Sequence, residues 1–214
     1  MRKPKSVPGT PYPVHRTRYR AGCDPLAATL DLFGEAGILK LVRRSGWWMI
    51  GIKNGESVAE HSFRAALLGY VLAKMEKADP YPVVMMSLLN DLHEARINDL
   101  HKVGHRYIDF PAAERKASQE QLACLPAHIG GDLRRWSREL SKQTTRAGVI
   151  ARDADILECM IQGKEYADRG QARAIDWMNR PAHLLRTKSA KALAQRLRTW
   201  KSDAWWQHLV TLAR

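Results

Sequence analysis

The chain has 214 residues, 45% hydrophobic and 27% charged, with a formal net charge of +13. That length supports one domain with a full core, and no apolar run approaches the ~20 residues needed to cross a bilayer. The N-terminus is basic without an apolar segment, which reads against a secretory signal. Three widely spaced cysteines, Cys23, Cys124 and Cys159, read against a disulfide framework or zinc ribbon and for a reducing, cytoplasmic setting.

The positive charge attracts polyanions and phosphorylated small molecules and says little about fold. It gathers in Arg2, Lys3, Lys5, Arg16, Arg18 and Arg20, ahead of the first acid, Asp24, and again from Arg186 to Arg214. These basic termini make nucleic acid a candidate partner.

Residues 1–22 carry Pro4, Pro8, Pro11 and Pro13 and no apolar stripe, so an extended arm is expected there, with one helical domain over 23–214. Asp24 and Pro25 read as N-cap and first residue of a first helix. Ser45 to Ser57 contains three glycines and no helical period, so it reads as a loop. Ser57 caps a second helix reaching about Lys77, and Asp79 to Pro82 opens a third reaching about Ile97. Pro111 opens a fourth, Gly130 to Ser141 forms a fifth, and Thr144 or Thr145 opens a long sixth that Gly170 ends. Short basic helices over 183–214 complete an all-α fold. Trp136, Trp177, Trp200, Trp205 and Trp206 fall at helical positions and read as packing residues. Trp47 and Trp48 stand in the glycine-rich loop.

Polar residues interrupt the apolar faces. On the second helix His61 lines up with Ala65, Leu68 and Leu72; on the third, Asp91 lines up with Val84, Leu88 and Ala95. A buried carboxylate needs a partner or a metal. Antiparallel packing of the two helices would bring His61 to Asp91. On the sixth helix the helical wheel puts Asp153 on the apolar stripe and Asp155 off it. His93 follows Asn90 by three positions, close enough on a helix to serve the same site, or to stand as a surface histidine.

The order of these residues resembles the HD-domain phosphohydrolase superfamily. "GWWMIGIKNGESVAEHSFRAALLGYVLA", "LLNDLHEARINDL" and "ARDADILECMIQGKEY" resemble three segments of its 5′-deoxynucleotidase-like branch, over about residues 25–170. The resemblance implies a compact helical bundle holding a divalent ion, one of Mn, Co, Mg or Zn. It makes His61, Asn90, Asp91 and Asp155 the metal-ligand positions, Asp155 in preference to Asp153, with Asn90 standing where the family has a histidine. It makes Glu94 and Asp99 the acids that position the attacking water and a ribose hydroxyl. Trp47 matches a tryptophan near the sugar and base. The family's preceding arginine is Gly46 here, so the phosphate grip falls to Arg43, Arg44 or Lys53.

The implied reaction is hydrolysis of a 5′-deoxynucleoside monophosphate by a metal-activated water. The alternatives are a deoxynucleoside triphosphohydrolase, a nucleic-acid-directed nuclease or phosphodiesterase, and a metal-poor pseudoenzyme binding nucleotide or a partner. The family also implies a homo-oligomer, a dimer or larger.

Overall fold

A computed structural model describes residues 22–207, 209 and 210. The expected N-terminal arm lies outside the described residues except for Gly22. Among the described residues the fold is all-α, ten α-helices joined by short 3₁₀ turns and loops.

Local chemistry sets most helix starts. Asp24 opens α1 (Pro25–Ile38) by accepting the Leu26 N–H at 2.9 Å. Ser57 opens α2 (Val58–Met75) through a capping box with Glu60. Asp79 caps α3 (Pro80–Leu89) by accepting the Tyr81 N–H at 3.0 Å, and Pro80 fixes the first turn. After the single-turn α4 (Glu94–Ile97), Asp109 caps α5 (Phe110–Gln121). The helix α6 (Ala127–Lys142) leads to α7 (Arg146–Asp168), which Thr145 caps; Gly170 follows at φ 96°. Then come α8 (Ile175–Asn179), α9 (Lys188–Leu197) and α10 (Ala204–Gln207).

The third expected helix is not continuous to Ile97. α3 stops at Leu89, residues 90–93 turn, and α4 follows. The Asn90 side chain donates to Asp91 Oδ1 at 2.8 Å. Such local polar bonds compete with a continuing helix, and the turn carries Asp91 and Glu94 off the line of α3.

α7 is the centre of the bundle. Ile150, Ala151, Ala154, Leu157 and Met160 are buried in the main core with Leu72, Ala73, Val83, Met86, Trp136 and Leu185. Helices α2, α3, α6, α8 and α9 all pack on it. Trp136 packs as expected, but Trp205 and Trp206 are 65% and 45% exposed. α10 is too short to bring an apolar face back onto the bundle.

A smaller cluster joins Ala28 of α1 to Leu122, Cys124 and Leu125. Here the cysteine expectation is corrected: Cys23 and Cys124 form a disulfide with a Cα–Cα distance of 5.6 Å, and Cys159 is free. The partners are 101 residues apart, and only the seating of α1 against the end of α5 brings them together.

Candidate active site

A close helix crossing brings the first two site residues together. A Cβ at Gly69 would lie 2.9 Å from Ser87 Oγ and 3.1 Å from a Val83 methyl carbon. Glycine therefore permits the approach of α2 to α3. The helices run antiparallel, so His61 near the start of α2 meets Asp91 just beyond α3, with His61 Nε2 3.6 Å from Asp91 Oδ2. From α7, Asp155 Oδ1 comes to 3.0 Å from the same ring nitrogen. These three donor atoms lie within 4.8 Å of one another.

The residues present fit a divalent cation. Asp91 is buried, its Oδ1 is held by Asn90, and its Oδ2 has no hydrogen-bond partner. A buried carboxylate oxygen that accepts no hydrogen bond, facing an imidazole and a second carboxylate, is a donor set that a divalent cation fits.

The electrostatics agree. Burial raises the Asp91 carboxyl pKa despite Arg44 and His61. Burial and the Arg44 charge oppose protonation of His61, yet Glu158 and Asp155 lift its pKa to about 10. Burial likewise opposes ionisation of Asp155, but His61 and Arg152 hold it well below the usual carboxylate range. Without a bound ion, the ring and two arginines serve as the cations of the site.

The loop before α2 closes one side. Arg44 N donates to Glu56 O at 3.0 Å and Val58 N to Val42 O at 2.9 Å, clipping the loop at its base. Arg44 then reaches inward, its Nη1 3.6 Å from Asp91 and 4.0 Å from Asp99. Asp99 also accepts the Ser45 N–H. Asn98, at φ 60° and ψ 167°, turns the chain after α4 and aims Asp99 toward Ser45; a non-glycine residue there stores backbone strain of about 1–3 kcal/mol. Glu94 is buried, and burial together with Asp91 and Asp99 pushes its carboxyl to about 10.

Several expected residues lie elsewhere. His93 is neither a surface residue nor a member of the site: it is buried, with Nε2 3.2 Å from Glu114 on α5. Arg43 donates to Gly55 O and faces Glu60. Lys53 is exposed in the loop, with no contact to the site among the described residues. Arg44 alone of the three reaches the carboxylates.

Asp153 is inward, as the wheel indicated, but its role is structural. It accepts from Arg186 N at 3.0 Å, from Thr187 N at 2.7 Å and from the Thr187 hydroxyl at 2.7 Å, anchoring the start of α9. Asp153→Ala is expected to lower stability by about 2–4 kcal/mol, the loss of several charge-assisted hydrogen bonds, and to leave cation affinity unchanged. Urea unfolding and metal titration of the variant check this.

Trp47, matched above to a tryptophan near the sugar and base, is 2% exposed and packs as a core residue in this structure. Its Nε1 donates to Glu56 at 3.1 Å, and its ring packs against Tyr166 and Trp177 at centroid distances of 5.0 and 5.4 Å. Gly55 makes room, since a Cβ there would lie 3.1 Å from the indole. Trp47→Ala is expected to cost about 3–5 kcal/mol as a core truncation, measured by thermal or urea unfolding.

Sequence reasoning missed four residues. Arg152, one turn before Asp155, places Nη1 2.7 Å from Asp155 Oδ2 with its side chain 41% exposed. Glu158, Arg64 and Glu56 surround the other side of His61. The signal for Glu158 was its place three residues after Asp155 on an apolar helix; the others carried none.

Fold and site together define an all-α protein with a buried histidine–aspartate centre suited to a divalent cation. The HD domain family model matches residues 36–196, and the chain belongs to that family. The 5′-deoxynucleotidase HDDC2 of Dictyostelium discoideum is 28% identical over 147 residues, 64% of this chain and 76% of that protein. Among solved structures, a conserved hypothetical protein from Pyrococcus furiosus has a TM-score of 0.69 at 27% identity, covering 80% of this chain and 99% of its own. A predicted metal-dependent phosphohydrolase from Magnetospirillum magnetotacticum shares the fold, with a TM-score of 0.62 at 22% identity over 82% of this chain and 91% of its own.

Proposed function

We propose that the protein is a metal-dependent nucleotide phosphohydrolase acting on 5′-deoxynucleoside monophosphates. The meeting of His61 Nε2, Asp91 Oδ2 and Asp155 Oδ1 within 4.8 Å, with no hydrogen bond to Asp91 Oδ2, supports this reading most directly. The name of the Dictyostelium relative supports the substrate class. His61, Asp91 and Asp155 would hold the ion. Such an ion, when bound, acidifies water and polarises a phosphoryl oxygen. Mn, Co, Mg and Zn all accept this donor set, and a single imidazole tilts it toward Mg²⁺ or Mn²⁺.

The chain's own residues supply the rest. Arg44 and Arg152 flank the carboxylates and would grip the phosphate; Arg152 is the more accessible, at 41% against 19% for the Arg44 side chain. Glu94 keeps its proton because it is buried beside Asp91 and Asp99. Added positive charge in the site would bring it into the range of a proton acceptor, the role suited to orienting an attacking water. Asp99, fixed by Ser45 N–H, would accept from a sugar hydroxyl.

The test is a titration of Mn²⁺, Co²⁺, Mg²⁺ and Zn²⁺ with a hydrolysis screen. Release of phosphate from deoxynucleoside monophosphates is the expected result. Release of triphosphate would make the enzyme a triphosphohydrolase. No ion bound at millimolar concentration would leave a nucleotide-binding pseudoenzyme.

The proposal includes a homo-oligomer. Phe63, Leu67, Tyr70 and Val71 are exposed along one face of α2, a stripe that a second copy would cover. Nucleic acid as a partner is supported by the net charge of +13 alone and would show as steeply salt-dependent binding. Among the described residues no helix is long and apolar enough to cross a membrane. The Cys23–Cys124 pair removes the cysteine argument for a reducing, cytoplasmic setting.

A further inference from the structure

Given the cation site proposed above, we infer that Glu158, held by Arg64, is the positioning residue that decides which nitrogen of His61 faces the cation. Both ring nitrogens are engaged. Nε2 faces Asp155 and Asp91, and Nδ1 contacts Glu158 Oε2. Glu158 is 0% exposed, so no bulk water competes for its oxygens. Its Oε1 is already taken by Arg64, from Nε at 2.8 Å and Nη2 at 2.6 Å. A carboxylate only accepts, so the Nδ1 contact requires Nδ1–H. Nε2, which donates to Asp155 in the metal-free protein, is then the nitrogen that gives up its proton to a cation, while Nδ1–H stays on Glu158.

Arg64 cannot easily let go. Its Nη2 donates to Gln162 at 2.6 Å and its Nη1 to Glu165 at 2.8 Å, and Glu56 lies 3.9 Å away. Glu158, Gln162 and Glu165 stand at i, i+4 and i+7 on α7, one face of one helix. The orientation of the imidazole is therefore set by the helix that also supplies Asp155. Glu56, His61 and Glu158 form a second trio of possible ligands. The Arg64 guanidinium already supplies its positive charge, so this trio orients the ring and holds no second ion.

Glu158→Gln tests the inference without changing shape. Arg64 has only donors, so the amide oxygen must turn to it and the NH₂ must face Nδ1. Nδ1 then has to accept, so the one proton left on the ring is at Nε2, toward Asp155, where it blocks the cation. The expected result is a fall in Mn²⁺ affinity of about 10–100-fold. In ¹⁵N-edited NMR of the metal-free protein, a hydrogen-bonded Nδ1–H signal of His61 is expected in the wild type and absent from the variant. Absence of that signal in the wild type overturns the inference. So does its persistence in Glu158→Gln, whether Mn²⁺ affinity stays within twofold or falls. If the wild type binds no Mn²⁺, the cation site itself fails, while the NMR comparison still reports on the ring.

Discussion

Asp91→Ala is expected to abolish phosphate release, a loss of at least roughly a thousandfold if the ion supplies the activated water, while the fold survives. Asp91 is the one proposed ligand with a buried oxygen that accepts no hydrogen bond, with Arg44 and His61 each 3.6 Å away. Its charge is opposed by burial before Arg44 and His61 offset part of the cost. Removing it leaves the buried Arg44 with Asp99 and Asp155, so the metal-free variant is expected to lose about 1–3 kcal/mol and still fold. Asp155→Ala should also lose activity, but it frees Arg152 and leaves the His61 ring with one less partner, so it is the less clean variant. Urea unfolding in EDTA, Mn²⁺ calorimetry and phosphate release on one preparation separate the effects. Retained Mn²⁺ affinity in the folded variant would remove Asp91 from the ligand set.

Asn90→His is expected to strengthen binding of Mn²⁺, Co²⁺ and Zn²⁺ by roughly tenfold or more, because imidazole is the better donor for each. In the structure the Asn90 amide donates to Asp91 Oδ1 at 2.8 Å, so it steadies the ligand beside it. A histidine at this position gives up that bond and offers a second ring nitrogen. If the wild type is a weakened form of the same enzyme, activity at limiting metal should rise with affinity. Titration of each ion into both proteins checks the order. Equal affinities would mean that position 90 does not face the ion and that Asn90 serves only to hold Asp91.

Much of this protein is determined locally and can be read from the chain. The starts of α1, α2, α3 and α7 follow from Asp24, Ser57, Asp79 and Thr145, because a capping side chain bonds to backbone only two or three residues away. His61 was visible as a polar residue on the buried stripe of α2; Asp91 was read on a line with Leu88, which is 42% exposed, and reaches the site because the chain turns after Leu89. The same reasoning failed on α7, which neighbours surround: Asp153 and Asp155 both point into protein, one toward α9 and one toward His61. Periodicity reports burial and cannot say which partner waits there; the resemblance to the family, not the wheel, selected Asp155. Other decisions belonged wholly to tertiary structure. Cys23 meets Cys124 across 101 residues. Trp47 is drawn from its loop into a cage of Glu56, Tyr166 and Trp177. Arg64 and Glu158 meet only because α2 lies against α7. Contacts between distant segments leave no local pattern, so they exist only once the helices have packed.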